Sequence, residues 1–227
     1  MSGLLVFTAL GLEARALREG LPSMPGGAKV VRTGMGPRNA AAYAARALTA
    51  SREPVAGRPG AVAVAGVGGA LDRRLRPGDV VVASEVWWDG QTLPCPSARL
   101  LQAELARAGV PVVTGPLVTS GHLVSGAERG GLAARGALVV DMESGPVAAA
   151  CAEAAPGGGL PFAAVRIVVD TPDVPLLRPA TLRGGARALR TLRRAGRPLA
   201  RWALAQLITP AGADGAAGAH QEEVRSI

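Results

Sequence analysis

Two apolar segments of this chain each end in a carboxylate. The first contains Val139-Val140 and leads to Glu143, and the second contains Ile167-Val168-Val169 and leads to Asp170. Apolar runs without polar alternation are typical of strands buried on both faces, as in a parallel sheet covered by helices. Ligands of such sheets bind at the carboxyl ends of the strands, so we expect Glu143 and Asp170 to meet at one ligand site. The alternative is that these acids only cap helices or pair with nearby arginines, because a buried charge needs a partner or a function.

Two glycine-rich turns follow other strand-like segments. Gly34-Met35-Gly36 follows an extended segment at Val30–Arg32, and Gly66-Val67-Gly68-Gly69 ends another that begins at Val62. Glycine lets the backbone approach a ligand closely, and backbone N–H groups at a helix N-terminus favour anions. Neither turn has the sequence of a Walker phosphate-binding loop or the spacing of a dinucleotide fingerprint. They indicate either a close approach to a small ligand or only tight turns.

Strand-like and helix-like segments alternate along most of the chain. The first strand is predicted at Leu4–Thr8 and precedes a helix containing Glu13, and a helix from Ser144 to Ala154 separates the two acid-bearing strands. This alternation predicts a single α/β domain with a central twisted sheet, mostly parallel or mixed, flanked by helices in a three-layer sandwich. We expect the domain to span residues 1–209 and residues 210–227 to form a disordered tail.

The composition narrows the class of protein. With 227 residues, 48% of them hydrophobic, the chain can bury the core of one domain. It has no apolar run of about 18 residues and no signal-peptide pattern, so we expect a cytoplasmic protein. The only cysteines are Cys95 and Cys151, and the only histidines are His122 and His220. These numbers argue against a disulfide framework, a histidine-ligated metal or a Ser-His-Asp triad, and we expect neither a metal nor a cofactor.

The net charge of +8 comes from one segment near the C-terminus, where residues 174–213 contain eight arginines and no acid. No nucleic-acid-binding motif accompanies them, so we expect no nucleic-acid partner. Within 178–208, apolar residues including Trp202 recur at helical spacing beside the arginines. A basic amphipathic helix of this kind suits peripheral contact with an anionic membrane, here at its inner face. The alternative is a helix packed on the sheet with its arginines in solvent.

Taken in order, five motifs resemble the nucleoside phosphorylase and nucleosidase superfamily. They are Thr8–Arg15, Thr33–Gly36, Ala65–Leu71 with Arg76–Val81, Val140–Ser144, and Pro161-Phe162 through Arg166 to Asp170. The resemblance covers residues 4 to about 175. The segments Val-Asp-Met-Glu-Ser and Leu-Pro-Phe-Ala-Ala-Val-Arg are most similar to the hopanoid-associated nucleoside phosphorylases, which are held to remove adenine from adenosylhopane.

The resemblance implies cleavage of the N-glycosidic bond of a 5′-substituted adenosine with release of adenine. Asp170 would protonate or hydrogen-bond N7 of the departing purine, which places a general acid in a dry site. Glu143 would accept hydrogen bonds from the ribose 2′ and 3′ hydroxyls and stabilise the cation-like sugar. Met142 would pack beneath the ribose. Phe162 and Val169 would contribute to the base pocket, although a core position suits Phe162 at least equally well.

The identity of the nucleophile stays open at the level of sequence. Glu13 matches the water-activating glutamate of the hydrolytic branch, which acts on methylthioadenosine, adenosylhomocysteine or futalosine. The spacing Gly11-x-x-x-Arg15 also matches the phosphate grip of the phosphorolytic branch, to which Gly34 and Gly66 would add backbone donors. Phosphorolysis, with inorganic phosphate as co-substrate, is the leading interpretation.

Two residues depart from the family pattern and leave a further function open. The assemblies known for the family predict the oligomeric state. Val67 and Val169 stand where relatives carry serine, which keeps a non-catalytic nucleoside-binding module as an alternative. Superfamily members assemble from dimers to hexamers, so we expect a homo-oligomer.

Overall fold

The computed structural model describes residues 3–49, 59–154, 159–172 and 179–208, which form eight strands and six helices. The strands are β1 (Leu4–Thr8), β2 (Ala28–Arg32), β3 (Ala61–Ala70), β4 (Val80–Trp88), β5 (Gln91–Pro94), β6 (Val112–Thr119), β7 (Val139–Asp141) and β8 (Phe162–Asp170). The helices are α1 (Gly11–Gly20), α2 (Pro37–Thr49), α3 (Ala98–Arg107), α4 (Gly126–Ala134), α5 (Ser144–Glu153) and α6 (Pro179–Ile208). The predicted α/β fold is confirmed, and the expected tail at 210–227 lies outside the described residues.

The sheet is mixed, and five of its strands close into a ring. β3 pairs parallel with β8 and antiparallel with β7, while β4 pairs antiparallel with β8 and parallel with β6. A parallel pairing of β6 with β7 completes the ring. β1 and β2 extend the sheet beyond β3, and β5 extends it beyond β4.

The ring brings the carboxyl ends of β7 and β8 to the same place on β3. Gly69 of β3 is the register partner of Val140 on one side and of Asp170 on the other. Every residue of β7 and β8 is buried, which confirms that the two acid-bearing segments are strands covered on both faces. The topology therefore places Asp170 beside the residues that follow β7.

The basic C-terminal segment is one long helix, α6, with its apolar face inside the protein. It continues through Pro198, although a proline removes one backbone hydrogen bond and costs about 3 kcal/mol in a helix interior. Leu199 and Trp202 are fully buried, and the Trp202 indole donates to Ser97 Oγ at 3.0 Å. The structure thus has the packed arrangement, and Trp202 does not face solvent as a membrane anchor.

The arginines of α6 lie on its solvent face, within the part of the helix whose side chains are described. Arg193 Nη1 lies 3.5 Å from Glu19 Oε2, and Arg194 Nη2 donates to the carbonyl of Gly109 at 3.2 Å. Arg178 and the side chain of Arg183 lie outside the described part of the chain. Among the described residues, no helix is long and apolar enough to cross a membrane.

Candidate active site

A cavity of about 210 Å³ opens where β7 and β8 end. Both acids singled out from the sequence line it, together with Met142, Val169 and Glu13 from α1. These five residues come from three separate parts of the chain, and the sheet topology brings them together. One cavity therefore holds a carboxylate from each of the two strand ends and a third from the first helix.

Asp170, the last residue of β8, is held by an arginine that sequence reasoning missed. Arg129 Nη2 donates to Asp170 Oδ2 at 2.6 Å, and both side chains are about nine-tenths buried. Gly69 provides the space, because a Cβ at Gly69 would lie 2.3 Å from Arg129 Nη2 and 3.1 Å from Asp170 Oδ1. The pair is a charge-assisted hydrogen bond that fixes the carboxylate at the cavity wall.

Glu143 follows β7 and precedes the first turn of α5. Its Oε1 accepts the backbone N–H of Gly36 at 3.0 Å, and its Oε2 lies 3.4 Å from Arg166 Nη2. Gly36 adopts a φ of +95°, a conformation that glycine takes without strain, and so aims its N–H at the carboxylate. Burial raises the pKa of Glu143, because the buried carboxylate loses hydration, and the nearby Arg166 guanidinium opposes this effect.

Arg166 connects the two strand ends from behind the cavity wall. It is completely buried in β8, and its Nε donates to Asp141 Oδ2 at 2.8 Å. Asp141 also accepts hydrogen bonds from Thr119 Oγ1 at 2.6 Å and from the Ser144 N–H at 3.1 Å. Burial disfavours the charged guanidinium, but Asp141 and Glu143 more than compensate, so the pKa of Arg166 is raised. Arg166 thus pairs with the acids at the end of β7, as the alternative of acids paired with nearby arginines predicts.

Glu13 is buried in the first turn of α1 and is held by three donors. Its Oε2 accepts Thr8 Oγ1 at 2.8 Å and the Leu10 N–H at 2.7 Å, and its Oε1 accepts the Val67 N–H at 2.8 Å. A carboxylate offers about four acceptor positions, so Glu13 keeps one for a water molecule or a ligand. The Val67 bond uses the backbone, so it does not require the serine that relatives carry there.

Gly66 is required for space beside these charges. A Cβ at Gly66 would lie 2.8 Å from both Glu13 Oε1 and Arg166 Nη1. Gly66 itself is not among the residues that line the cavity. The observed reason for a glycine here is the close approach of two charged side chains, rather than the predicted contact with phosphate.

The position of Arg15 does not fit its predicted role in binding phosphate. Its side chain is 78% exposed, pairs with Glu19 at 2.9 Å, and is not among the residues lining the cavity. The reason is helical geometry, because two residues advance a helix by about 200° and Glu13 faces inward. Arg32 lies nearer to the start of α1, with Nη1 3.6 Å from the Cβ position of Gly11. Gly11 and Gly34 adjoin the cavity-lining residues Leu10 and Met35 without lining the cavity themselves.

The structure also corrects the predicted contribution of Phe162 to the base pocket. It is the first residue of β8, pairs in register with Val62, and belongs to the main apolar core. Asp170 lies eight residues further along the strand, which is roughly 26 Å at about 3.3 Å per residue. Phe162 does not line the cavity, whereas a loop that follows β6 does. This loop contributes His122, Leu123 and Val124, and His122 Nε2 lies 2.9 Å from Glu128 Oε1.

The two cysteines lie away from the cavity. Cys95 and Cys151 are buried, and burial raises the pKa of each thiol to about 12. A thiol with such a pKa is a poor nucleophile at neutral pH. Within the described ranges, no three His, Cys, Asp or Glu side chains are arranged to hold a metal ion.

Comparison with solved structures finds the same fold in nucleosidases. A methylthioadenosine nucleosidase of Weissella paramesenteroides, itself assigned provisionally, matches with a TM-score of 0.70 and 19% identity, covering 90% of this chain and 98% of that one. The S-adenosylhomocysteine nucleosidase of Streptococcus pyogenes, solved with 5-methylthiotubericidin, matches with a TM-score of 0.66 and 20% identity over 86% and 95% of the two chains. Futalosine hydrolase of Helicobacter pylori matches with a TM-score of 0.68 and 14% identity over 90% and 98%.

Comparison at the level of sequence identifies the family. No curated protein matches this sequence significantly. The family model of the phosphorylase superfamily, however, matches residues 26–204, which include β2 through most of α6 and both acid-bearing strands. The chain therefore belongs to the phosphorylase superfamily.

Proposed function

We propose that this protein cleaves the N-glycosidic bond of a 5′-substituted adenosine and releases adenine. The observation that carries the proposal is that Glu143 and Asp170 line one cavity together with Met142. Breaking a ribosyl–purine bond builds positive charge on the sugar and negative charge on the base. A carboxylate for the ribose and a charged pair for the purine answer these two needs.

The roles of the site residues follow from this assignment. Glu143 accepts hydrogen bonds from the ribose 2′ and 3′ hydroxyls and stabilises the developing cation, while Met142 packs against the sugar. Asp170 contacts N7 of the purine, beside Val169 at the cavity wall. Arg166 keeps Glu143 in place through the contact at 3.4 Å.

Two nucleophiles suit different features of the site. Phosphorolysis requires an anion site at the sugar. The start of α1 adjoins the cavity-lining residue Leu10 and has Arg32 close to Gly11, whereas the exposed Arg15 pairs with Glu19. Hydrolysis requires a base, and Glu13 lines the cavity with one acceptor position open. The inward-facing Glu13 favours water, and phosphate is the alternative.

Product analysis separates these reactions. We expect chromatography to detect adenine after incubation with 5′-substituted adenosines. If water attacks, removing inorganic phosphate leaves the rate unchanged and free ribosyl product accumulates. If phosphate attacks, the rate depends on phosphate and a ribosyl 1-phosphate accumulates. Nucleoside binding without adenine under either condition would instead identify a non-catalytic nucleoside-binding module.

The rim of the cavity supports an apolar 5′ substituent, such as that of an adenosylhopane-type substrate in hopanoid biosynthesis. The cavity of about 210 Å³ is smaller than the roughly 300–1,000 Å³ typical of drug-sized ligand sites, so a bulky 5′ group must extend through the mouth. Leu10, Met35 and Leu123 line the cavity and are 40%, 61% and 72% exposed. Exposed apolar side chains around a small cavity favour an apolar ligand group.

Lengthening the 5′ substituent should therefore improve the substrate. We expect kcat/KM to rise with each methylene of a 5′-alkylthio adenosine series, by at most about fourfold, since full burial of a methylene contributes about 0.8 kcal/mol. Leu123→Ser should flatten this rise without changing the rate with adenosine. A series with constant or falling kcat/KM would contradict the apolar assignment and leave adenine release itself intact.

Ribose recognition by Glu143 predicts a pH dependence. The carboxylate must be ionised to accept hydrogen bonds from two hydroxyl groups, and burial raises the pKa of Glu143. As the pH is lowered, activity should therefore begin to fall at a pH above the ordinary pKa of Glu, which is about 4.3. Glu143→Gln should remove this acidic fall and lower kcat/KM for adenosine more than for 2′-deoxyadenosine. An equal loss with both nucleosides would contradict the ribose role.

We also propose an electrostatic contact between α6 and anionic membranes. With Leu199 and Trp202 of α6 buried, the exposed arginines carry this contact, among them Arg190, Arg194, Arg197 and Arg201. Such a contact is sensitive to salt. Flotation with anionic liposomes at low and high salt tests it, and equal flotation of the wild type and a variant lacking these arginines would contradict it.

A homo-oligomer remains our expectation from the family. Leu12 on α1 and Tyr43 on α2 are 65% and 41% exposed, and exposed apolar side chains of this kind support a contact between subunits. Analytical ultracentrifugation measures the assembly. A monomer at micromolar concentration would contradict the expectation, and the cytoplasmic location is tested separately by cell fractionation.

A further inference from the structure

The base end of the cavity contains a cation, the arginine of the charged pair, to which the roles proposed above assign no contact of its own with the purine. Arg129 lines the cavity, and it is the buried residue of α4, a short helix otherwise rich in glycine and alanine. A helix that buries an arginine in preference to its apolar residues is unusual, because burying a charge is costly without a partner or a function. Asp170 is the partner, and the position of the pair at the base end indicates the function.

The pairing changes what Asp170 can do. A guanidinium is always protonated, and its hydrogen bond to Asp170 at 2.6 Å favours the carboxylate form of that side chain. In that form Asp170 accepts hydrogen bonds but has no proton to give to a departing purine. The positive charge needed at the leaving group is nevertheless present on Arg129, which is hydrogen-bonded to Asp170.

The hydrogen bonds of Arg129 leave it able to act on a ligand. Its Nη2 is used by Asp170, and its Nε is buried with no hydrogen-bond partner in the described structure. A buried donor without a partner is rare and disfavours the present arrangement. A second cavity, of about 510 Å³, adjoins Arg129 on its other side, along Gly126, Gly130 and Ala133 of α4. The guanidinium therefore has both a reason and the space to shift when a purine enters.

We propose that Arg129 is a catalytic residue of the reaction proposed above, and that its guanidinium stabilises the negative charge on the departing purine while Asp170 orients it. The bond between C1′ and the purine N9 breaks, and its electron pair moves into the purine ring. The nucleophile forms its bond to C1′. Arg129 donates a hydrogen bond to the purine without losing a proton. Adenine then gains its proton from solvent, which balances the proton that the attacking water or hydrogen phosphate loses.

A substrate with a better leaving group tests this proposal. Arg129→Met should slow adenine release from 5′-methylthioadenosine by about 100-fold to 1,000-fold, the loss typical of removing one preorganised donor from a developing anion. The same variant should lose less than about fivefold with 4-nitrophenyl β-D-ribofuranoside, because nitrophenolate departs without help. If the parent does not cleave that compound, 6-chloropurine riboside takes its place. Arg129→Lys should recover part of the lost rate, since it keeps the charge.

A second variant displaces the guanidinium without removing it. Gly69→Ala adds a methyl group 2.3 Å from Arg129 Nη2, whereas Gly131→Ala in α4 meets nothing within 4 Å and serves as the matched control. We expect Gly69→Ala, like Arg129→Met, to lose more rate with the poorer leaving group than with the better one. The control should behave as the parent. Equal losses with both substrates, or no loss in Arg129→Met, would overturn the proposal. A parent that releases no adenine would instead refute the proposed function.

Discussion

Asp170→Asn should reduce adenine release by at least about 1,000-fold while nucleoside affinity stays within about tenfold of the parent. Asparagine has nearly the same shape but carries no charge, so it does not form the ion pair that orients Arg129 at 2.6 Å. Loss of a general acid or of a preorganised charge at the leaving group typically costs 10² to about 10⁴ in rate. Adenine chromatography measures the rate, and calorimetry measures binding.

The control for this variant is a chemically identical change elsewhere. Asp89 lies in the turn between β4 and β5 with a φ of +49°, a conformation that asparagine also tolerates. Asp89→Asn should release adenine at the parental rate. If Asp170→Asn retains more than about one tenth of the activity, leaving-group assistance lies elsewhere.

Arg166→Met should produce the largest loss of stability, about 3–5 kcal/mol in the free energy of unfolding. The guanidinium is completely buried, and its removal leaves the buried carboxylates of Asp141 and Glu143 without their cation. Methionine restores only part of the volume and none of the charge. Urea unfolding followed by circular dichroism measures the difference.

Two further variants distinguish the effect of lost charge from the effect of lost packing at Arg166. Arg193→Met removes a guanidinium that is 61% exposed and lies 3.5 Å from Glu19, so it should cost less than about 1 kcal/mol. Adding Asp141→Asn to Arg166→Met removes one of the two uncompensated charges and should recover part of the stability. An Arg166→Met protein as stable as the Arg193→Met protein would show that the buried cluster is not held by charge.

The acid-bearing strands could be predicted from sequence because their signal is local. Apolar runs ending at Asp141 and Asp170 indicate strands buried on both faces, and a parallel sheet collects ligands at strand ends. The alternation of elements likewise predicts the α/β class. The closure of β3, β4, β6, β7 and β8 into a ring could not be predicted, because strand partners far apart in sequence leave no periodic pattern.

The cavity wall shows the limit of sequence reasoning more sharply. Arg129 lies on a helix without a clear apolar face, so nothing local distinguishes it from a solvated arginine. Arg15 and Glu13 belong to one motif, yet only Glu13 faces inward, because helical geometry separates residues two apart. Phe162 precedes Asp170 on the same strand but at its opposite end. These assignments depend on tertiary direction, which a motif does not encode.

A crystal structure of the Asp170→Asn variant with 5′-methylthioadenosine tests most directly whether one nucleoside contacts both acidic positions. We predict that the ribose 2′ and 3′ hydroxyls lie about 3 Å from the Glu143 carboxylate, and that purine N7 lies about 3 Å from the side chain at position 170, with Arg129 beside the base. A nucleoside bound outside this cavity, or one that contacts only one of the two positions, would contradict the account.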